Sequence, residues 1–137
     1  MIYRHWKHMP WDANRWPNFH PSEMACRHCG QSYYDPAAYD RIQAARTHAG
    51  VPFKLNSAHR CWRHNAAVGG APLSAHKKIA FDVAVNNRTK SVILLSLKEA
   101  GFTTFGFYGT FIHTDPRPGR RWITNAGRKT WNGLVTF

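Results

Sequence analysis

Acidic residues are scarce in this sequence: seven Asp and Glu stand against nineteen Lys and Arg, a formal net charge of +12. Such a field favours polyanionic partners, namely nucleic acid, anionic lipid or an anionic cell wall. Long apolar runs are also missing. None approaches the ~20 residues that a membrane span requires, so no span is expected. The first 17 residues hold neither an uninterrupted apolar stretch nor a small-residue cleavage site, which excludes a secretory signal there. Synthesis in a cytoplasm is the expectation. Cysteine is sparse and odd in number, three in all, so a complete disulfide framework is excluded. There is no internal repeat and no low-complexity segment, which excludes collagen-like and disordered classes.

What the sequence does hold is a chain of one-domain length, 137 residues, with six Trp, eight Phe and five Tyr. That is enough to bury a core without disulfide staples. Its basic residues are scattered. The densest groups, Arg117/Arg120/Arg121 and Lys77/Lys78, are short, and no long basic helix or arm occurs. This pattern fits diffuse attraction to a charged matrix better than nucleic-acid binding.

The first 35 residues read as irregular, broken by Pro10, Pro17 and Pro21. A helix is expected next, with Asp35 as N-cap, Pro36 at the first helical position and Gly50 past the end. Residues 53–57 alternate as a short strand, 62–68 form a helical turn or two ended by Gly69-Gly70, and 71–78 form a loop. Residues 79–85 (IAFDVAV) read as a buried strand and 89–100 as a helix stopped by Gly101. Strands over 102–108 and 111–115 flank a turn at Gly109, with one last strand near Trp122-Ile123. The expectation is a single α+β domain with a small, mainly antiparallel sheet flanked by helices. It has an irregular segment over 1–35, a core over 36–122 and a tail over 123–137.

Asp82 lies inside the apolar run IAFDVAV, where a carboxylate is costly to bury unless it is paired or binds a metal. His76 lies just before it, and His113 follows apolar Phe111 and Ile112 in a later strand. Six residues of continuous strand would hold His76 and Asp82 about 20 Å apart, so a shared metal requires a bend at Lys77-Lys78. Two imidazoles and one carboxylate leave a fourth position open, the pattern of a catalytic zinc, which lowers the pKa of bound water to about 7. With nine His in the chain, spacing alone makes this a weak signal.

Residues 57–85 (SAHRCWRHNAAVGGAPLSAHKKIAFDVAV) and 101–122 (GFTTFGFYGTFIHTDPRPGRRW) resemble the D-Ala-D-Ala zinc peptidase family. The motifs that carry the likeness are Ser57-x-x-Arg60, Gly69-Gly70-Ala71-Pro72, Ser74-x-His76 with Asp82 six residues on, and His113-x-Asp115. The earlier FHPSEMACRHCG (19–30) is similar to the leading part of phage-type members. The family includes zinc carboxypeptidases, VanX-like dipeptidases and phage endolysins, and shares its fold with hedgehog signalling domains.

The resemblance implies zinc held by His76, Asp82 and His113, with Arg60 steadying a substrate carboxylate or developing oxyanion. Ser74 would orient the loop. Where several branches carry an acidic or His base two or three residues before the last zinc His, this chain has Phe111 and Thr110. Asp115 is the nearest carboxylate. It has two open roles, proton shuttle or acceptor that orients an imidazole, and His59 is a lesser candidate base. The implied substrate is peptidoglycan stem peptide or cross-bridge. The implied setting is a monomeric phage endolysin released by a holin-like pore, or a virion-borne lytic enzyme. Two other classes stay open: a non-catalytic wall-binding module of the same fold, and a basic nucleic-acid-binding protein with a Cys/His zinc site.

Cys26-x-x-Cys29 and Cys61-x-x-His64 have the composition of a closed structural zinc site. A disulfide from Cys61 to Cys26 or Cys29, and free thiols, are the other readings of these residues.

Overall fold

Asp35 caps the helix expected after it: its Oδ1 accepts from the Ala38 amide at 3.1 Å, and Pro36 opens α1, Pro36–Ala49. Gly50 closes it in the left-handed conformation, φ 67°, which a residue without Cβ adopts at little cost. Ala38, Tyr39, Ile42 and Ala45 form its buried face. That face packs against α3, Lys90–Glu99, through Ile93, Leu94 and Leu97. Between them in sequence lies the short α2, Trp62–Ala67. These elements belong to a computed structural model that describes all 137 residues.

The central sheet has five strands: β3 Leu55–Ser57, β4 Phe81–Ala84, β5 Thr104–Phe107, β6 Phe111–Asp115 and β7 Arg121–Ile123. Their order is β3-β4-β6-β5-β7, antiparallel throughout except for the parallel pairing of β5 with β7. The strands alternate as a half-buried sheet must. Phe81, Val83, Phe105, Phe107 and Ile112 enter the hydrophobic core shared with α1 and α3. The residues between them point to the opposite face. The fold is the α+β domain with a mainly antiparallel sheet that the sequence predicts, and no helix is long and apolar enough to cross a membrane.

Both chain ends depart from expectation. The first 35 residues hold a two-stranded ribbon, β1 Ile2–Tyr3 with β2 Ser32–Tyr33, and two 3-10 turns at Trp6–His8 and Pro21–Met24. They also supply Trp16, Phe19 and Met24 to the main core. Runs this short, interrupted by Pro, give no periodic signal, and long-range contacts hold them in place. The tail carries α4, Asn125–Thr130, capped by the Thr124 hydroxyl accepting from the Gly127 amide at 3.0 Å. Just beyond it Trp131 is fully buried against Phe107 and donates from Nε1 to the Tyr108 carbonyl at 2.9 Å.

Trp131→Ala should therefore destabilise the domain by about 3–5 kcal/mol, read as a lower urea midpoint. An unchanged midpoint would mean that the tail adds nothing to the folded core.

Candidate metal centre

The pairing of β4 with β6 sets Asp82 directly opposite His113, on the sheet face turned away from the core. His113 Nδ1 lies 3.0 Å from Asp82 Oδ1. On β5, Gly106 is level with His113, and on β7, Trp122 is level with Gly106. A Cβ at Gly106 would come within 2.4 Å of the Trp122 ring. Its absence lets the indole lie across the strand and meet the His113 ring, 5.0 Å between centroids.

His76 arrives from a different element. Ser74 Oγ accepts from the His76 amide at 3.2 Å and starts a 3-10 turn over Ala75–Lys77. This is the bend that the strand-only geometry lacked. His76 Nδ1 donates to the Ala58 carbonyl at 2.6 Å, which fixes the tautomer and leaves Nε2 with a lone pair. That Nε2 is buried and forms no hydrogen bond, although Asp82 Oδ2 is only 3.1 Å away. A lone pair facing a carboxylate oxygen is unfavourable unless a proton or a metal ion lies between them. The ligand atoms of His76, Asp82 and His113 lie within 4.8 Å of one another. Two imidazole nitrogens and a carboxylate oxygen suit a divalent zinc ion, so the residues present fit a metal.

Charges around this triad are arranged to keep the donors in place. Burial works to raise the Asp82 pKa, but the hydrogen bond with His113 and the nearness of His76 outweigh it and hold the carboxyl down to about 2, so it is ionised at neutral pH. His113 Nε2 donates to Asp115 Oδ2 at 2.7 Å, which turns Nδ1 toward Asp82. Burial opposes charge on His113, yet Asp115 and Asp82 raise its pKa overall. Asp115 is fully buried, and Arg117 clamps both of its oxygens, Nε to Oδ1 at 2.8 Å and Nη2 to Oδ2 at 2.7 Å. Against the cost of burial, this pair holds the Asp115 carboxyl well below the usual range.

Arg60 approaches from the other side, with Nη2 3.9 Å from Asp82 Oδ2. Its Nε donates to Ser57 Oγ at 3.2 Å and Nη1 to Asn65 Oδ1 at 3.0 Å, while Asn65 Nδ2 donates to the Ala71 carbonyl at 2.9 Å. Gly70 is what allows this. A Cβ there would fall 2.2 Å from Asn65 Oδ1 and 2.7 Å from Arg60 Nη1. His59 stands apart from the triad's chemistry. It is buried, with Nδ1 2.6 Å from the Lys78 carbonyl and Nε2 2.8 Å from the Gln31 side-chain amide. Burial lowers its pKa, and it braces three segments.

The triad lies in a cleft of about 920 Å³ whose lining includes Arg60, Arg117, Arg120, Arg121, Tyr108 and Trp122. A family model described as Peptidase M15 matches residues 17–115, well over half of the chain. The chain belongs to the peptidase M15 family. That places it among zinc peptidases, with a match that spans all three triad residues. No curated protein and no solved structure matches it.

Cys26, Cys29 and Cys61 form a second cluster, again within 4.8 Å of one another. The His64 ring stands beside it, stacked on His28. The clamp of Arg117 on Asp115, the hold of Asn65 on Arg60 and the contact of Trp122 with His113 have no counterpart among the sequence expectations. For Arg117 a signal was present: it lies two residues past Asp115, where a turn after the strand lets its amide and side chain both fold back on that carboxylate. Asn65 and Trp122 carry no such mark.

Gly70→Ala should push the Arg60–Asn65 pair apart and cost about 1–3 kcal/mol, while zinc content stays that of the wild type. Thermal melting and metal analysis on one preparation check this, and unchanged stability would contradict the close approach.

Proposed function

We propose that this chain is a zinc peptidase that hydrolyses peptide bonds in the stem or cross-bridge of bacterial peptidoglycan. His76 Nε2, an Asp82 carboxylate oxygen and His113 Nδ1 would hold the metal. The observation that carries this reading is the orphaned, buried His76 Nε2 facing the ionised Asp82 beside His113, at one side of an open cleft. When bound, zinc would supply a Lewis acid for the scissile carbonyl and an activated water at neutral pH.

The chain's own residues do the rest. The Ala58 carbonyl and Asp115 each accept from the far nitrogen of a ligand imidazole, which fixes ring orientation and raises ligand basicity. Of the two roles open to Asp115, we favour the orienting acceptor, since both of its oxygens are already engaged by His113 and Arg117. Arg60 is held by Ser57 and Asn65 with its fork beside Asp82, where it can steady a substrate carboxylate or the developing oxyanion. Arg117, Arg120 and Arg121 add positive charge along the cleft, which suits the carboxylates of a murein peptide. The net charge of +12 would draw the protein to an anionic wall, an attraction that weakens with salt. Family and charge together fit a monomeric phage endolysin made in the host cytoplasm and released by a holin-like pore, or a virion-borne wall-piercing enzyme.

One observation favours a second reading. Asp82 and Asp115, the two carboxylates of the site, are both engaged, and neither is free to accept a proton from water. A module that binds metal and wall peptide without turnover would have this arrangement.

Digestion of purified murein sacculi separates the two readings. The peptidase should release peptide fragments whose masses name the bond, D,D- or L,D-type. Chelator should stop the release and zinc restore it. His76→Ala should lose one zinc equivalent together with activity. Zinc bound without fragments would establish the binding module, and zinc content independent of His76 would overturn the triad.

Asp115→Asn should weaken zinc affinity by about 10–100-fold, measured by chelator competition. Intact affinity with a collapsed kcat would instead make Asp115 the base.

A further inference from the structure

The peptidase reading leaves one chemistry-bearing cluster unused. Cys26 and Cys29 flank a tight loop in which the Cys26 carbonyl accepts from the Gly30 amide at 2.9 Å and the Cys26 amide donates to the Gln31 carbonyl at 2.7 Å. Gly30 follows the second cysteine at φ 80°, a backbone setting that favours glycine. The loop turns both thiols to one side. Cys61 reaches the same point from the start of α2, where its sulfur accepts from the His64 amide at 3.4 Å. All three are free thiols, with Cys26 and Cys61 buried. His28, inside the loop, brings Nδ1 to 3.9 Å from Cys61 Sγ, close to the ~3.6 Å expected between sulfur and nitrogen on one tetrahedral zinc with standard bond lengths. His64 stacks on the His28 ring, planes 6° apart and 5.9 Å between centroids.

We propose that Cys26, Cys29 and Cys61 form a second, structural metal site that takes a thiophilic divalent cation, zinc by its ligand set, with the His28 ring beside Cys61 turning in as the fourth ligand. Three thiolates and an imidazole fill a tetrahedral shell and leave no position for substrate. The thiols give their protons to solvent as the metal binds. His28 replaces the C-x-x-H histidine that the spacing of Cys61 and His64 points to, and His64 lies behind it as a stacking partner.

The site's place in the fold gives it a purpose. It ties the loop at 26–29 to the residue after Arg60. The His59 amide donates to the Met24 carbonyl at 3.1 Å, and the Arg60 amide to the His76 carbonyl at 2.6 Å. With the Ala58 carbonyl holding His76 Nδ1, segment 58–61 is wedged between the cysteine loop and the turn that carries His76. A metal on the cysteines would lock that wedge.

The test uses the full chain prepared with a reducing agent and without chelator. Wild type should carry two zinc equivalents, His76→Ala one and Cys29→Ser one. Cobalt-loaded His76→Ala should show thiolate-to-cobalt charge-transfer absorption, a readout that needs no cysteine variant to fold. His28→Ala should weaken this site and His64→Ala leave it loaded. Cobalt uptake by His76→Ala without thiolate absorption would overturn the proposal. Loss on His64→Ala with His28→Ala loaded would overturn the assignment of His28.

Discussion

The antiparallel pairing of β4 with β6 is the constraint on which the rest depends. Its register sets Val83 opposite Ile112 on the core face and Asp82 opposite His113 on the other. A slip of one residue would send Asp82 into the apolar core and lift Val83 into the cleft, so hydrophobic burial and ligand placement are enforced by the same alternation. The apolar neighbours that make Asp82 conspicuous in sequence are also what hold it in place.

Around that pair, polar groups are arranged so that each buried donor has an acceptor. Ala58 and Asp115 take the imidazole protons that face away from Asp82, Arg117 neutralises Asp115, and Asn65 holds Arg60. The network leaves one buried ring nitrogen unused, His76 Nε2. Under the proposed function this is the atom that a metal would complete. Glycine at 70 and 106 serves the same end by leaving room, once for the Arg60–Asn65 pair and once for Trp122 over the sheet.

The N-terminal segment is part of the same construction. Its Trp16, Phe19 and Met24 join the main core, and its backbone and Gln31 side chain reach the 58–60 strip through His59. Order in a stretch without periodic structure comes from these long-range contacts.

Local chemistry was legible from the residues themselves. The N-cap at Asp35, the stop at Gly50, the apolar run that marks β4, and the carboxylate set within it all follow from the local sequence. The motif likeness that led to His76, Asp82 and His113 also lay in the chain. Tertiary structure alone decided what those side chains touch: that Asp115 is clamped by Arg117, that His59 braces three segments, that Trp131 closes the core, and that the His28 ring comes up to the Cys61 sulfur. The division has a physical reason. Caps, turns and alternation depend on neighbours a few residues away, whereas the partner of a buried polar group is whichever atom the folded chain brings within about 3 Å, and that atom is often dozens of residues distant.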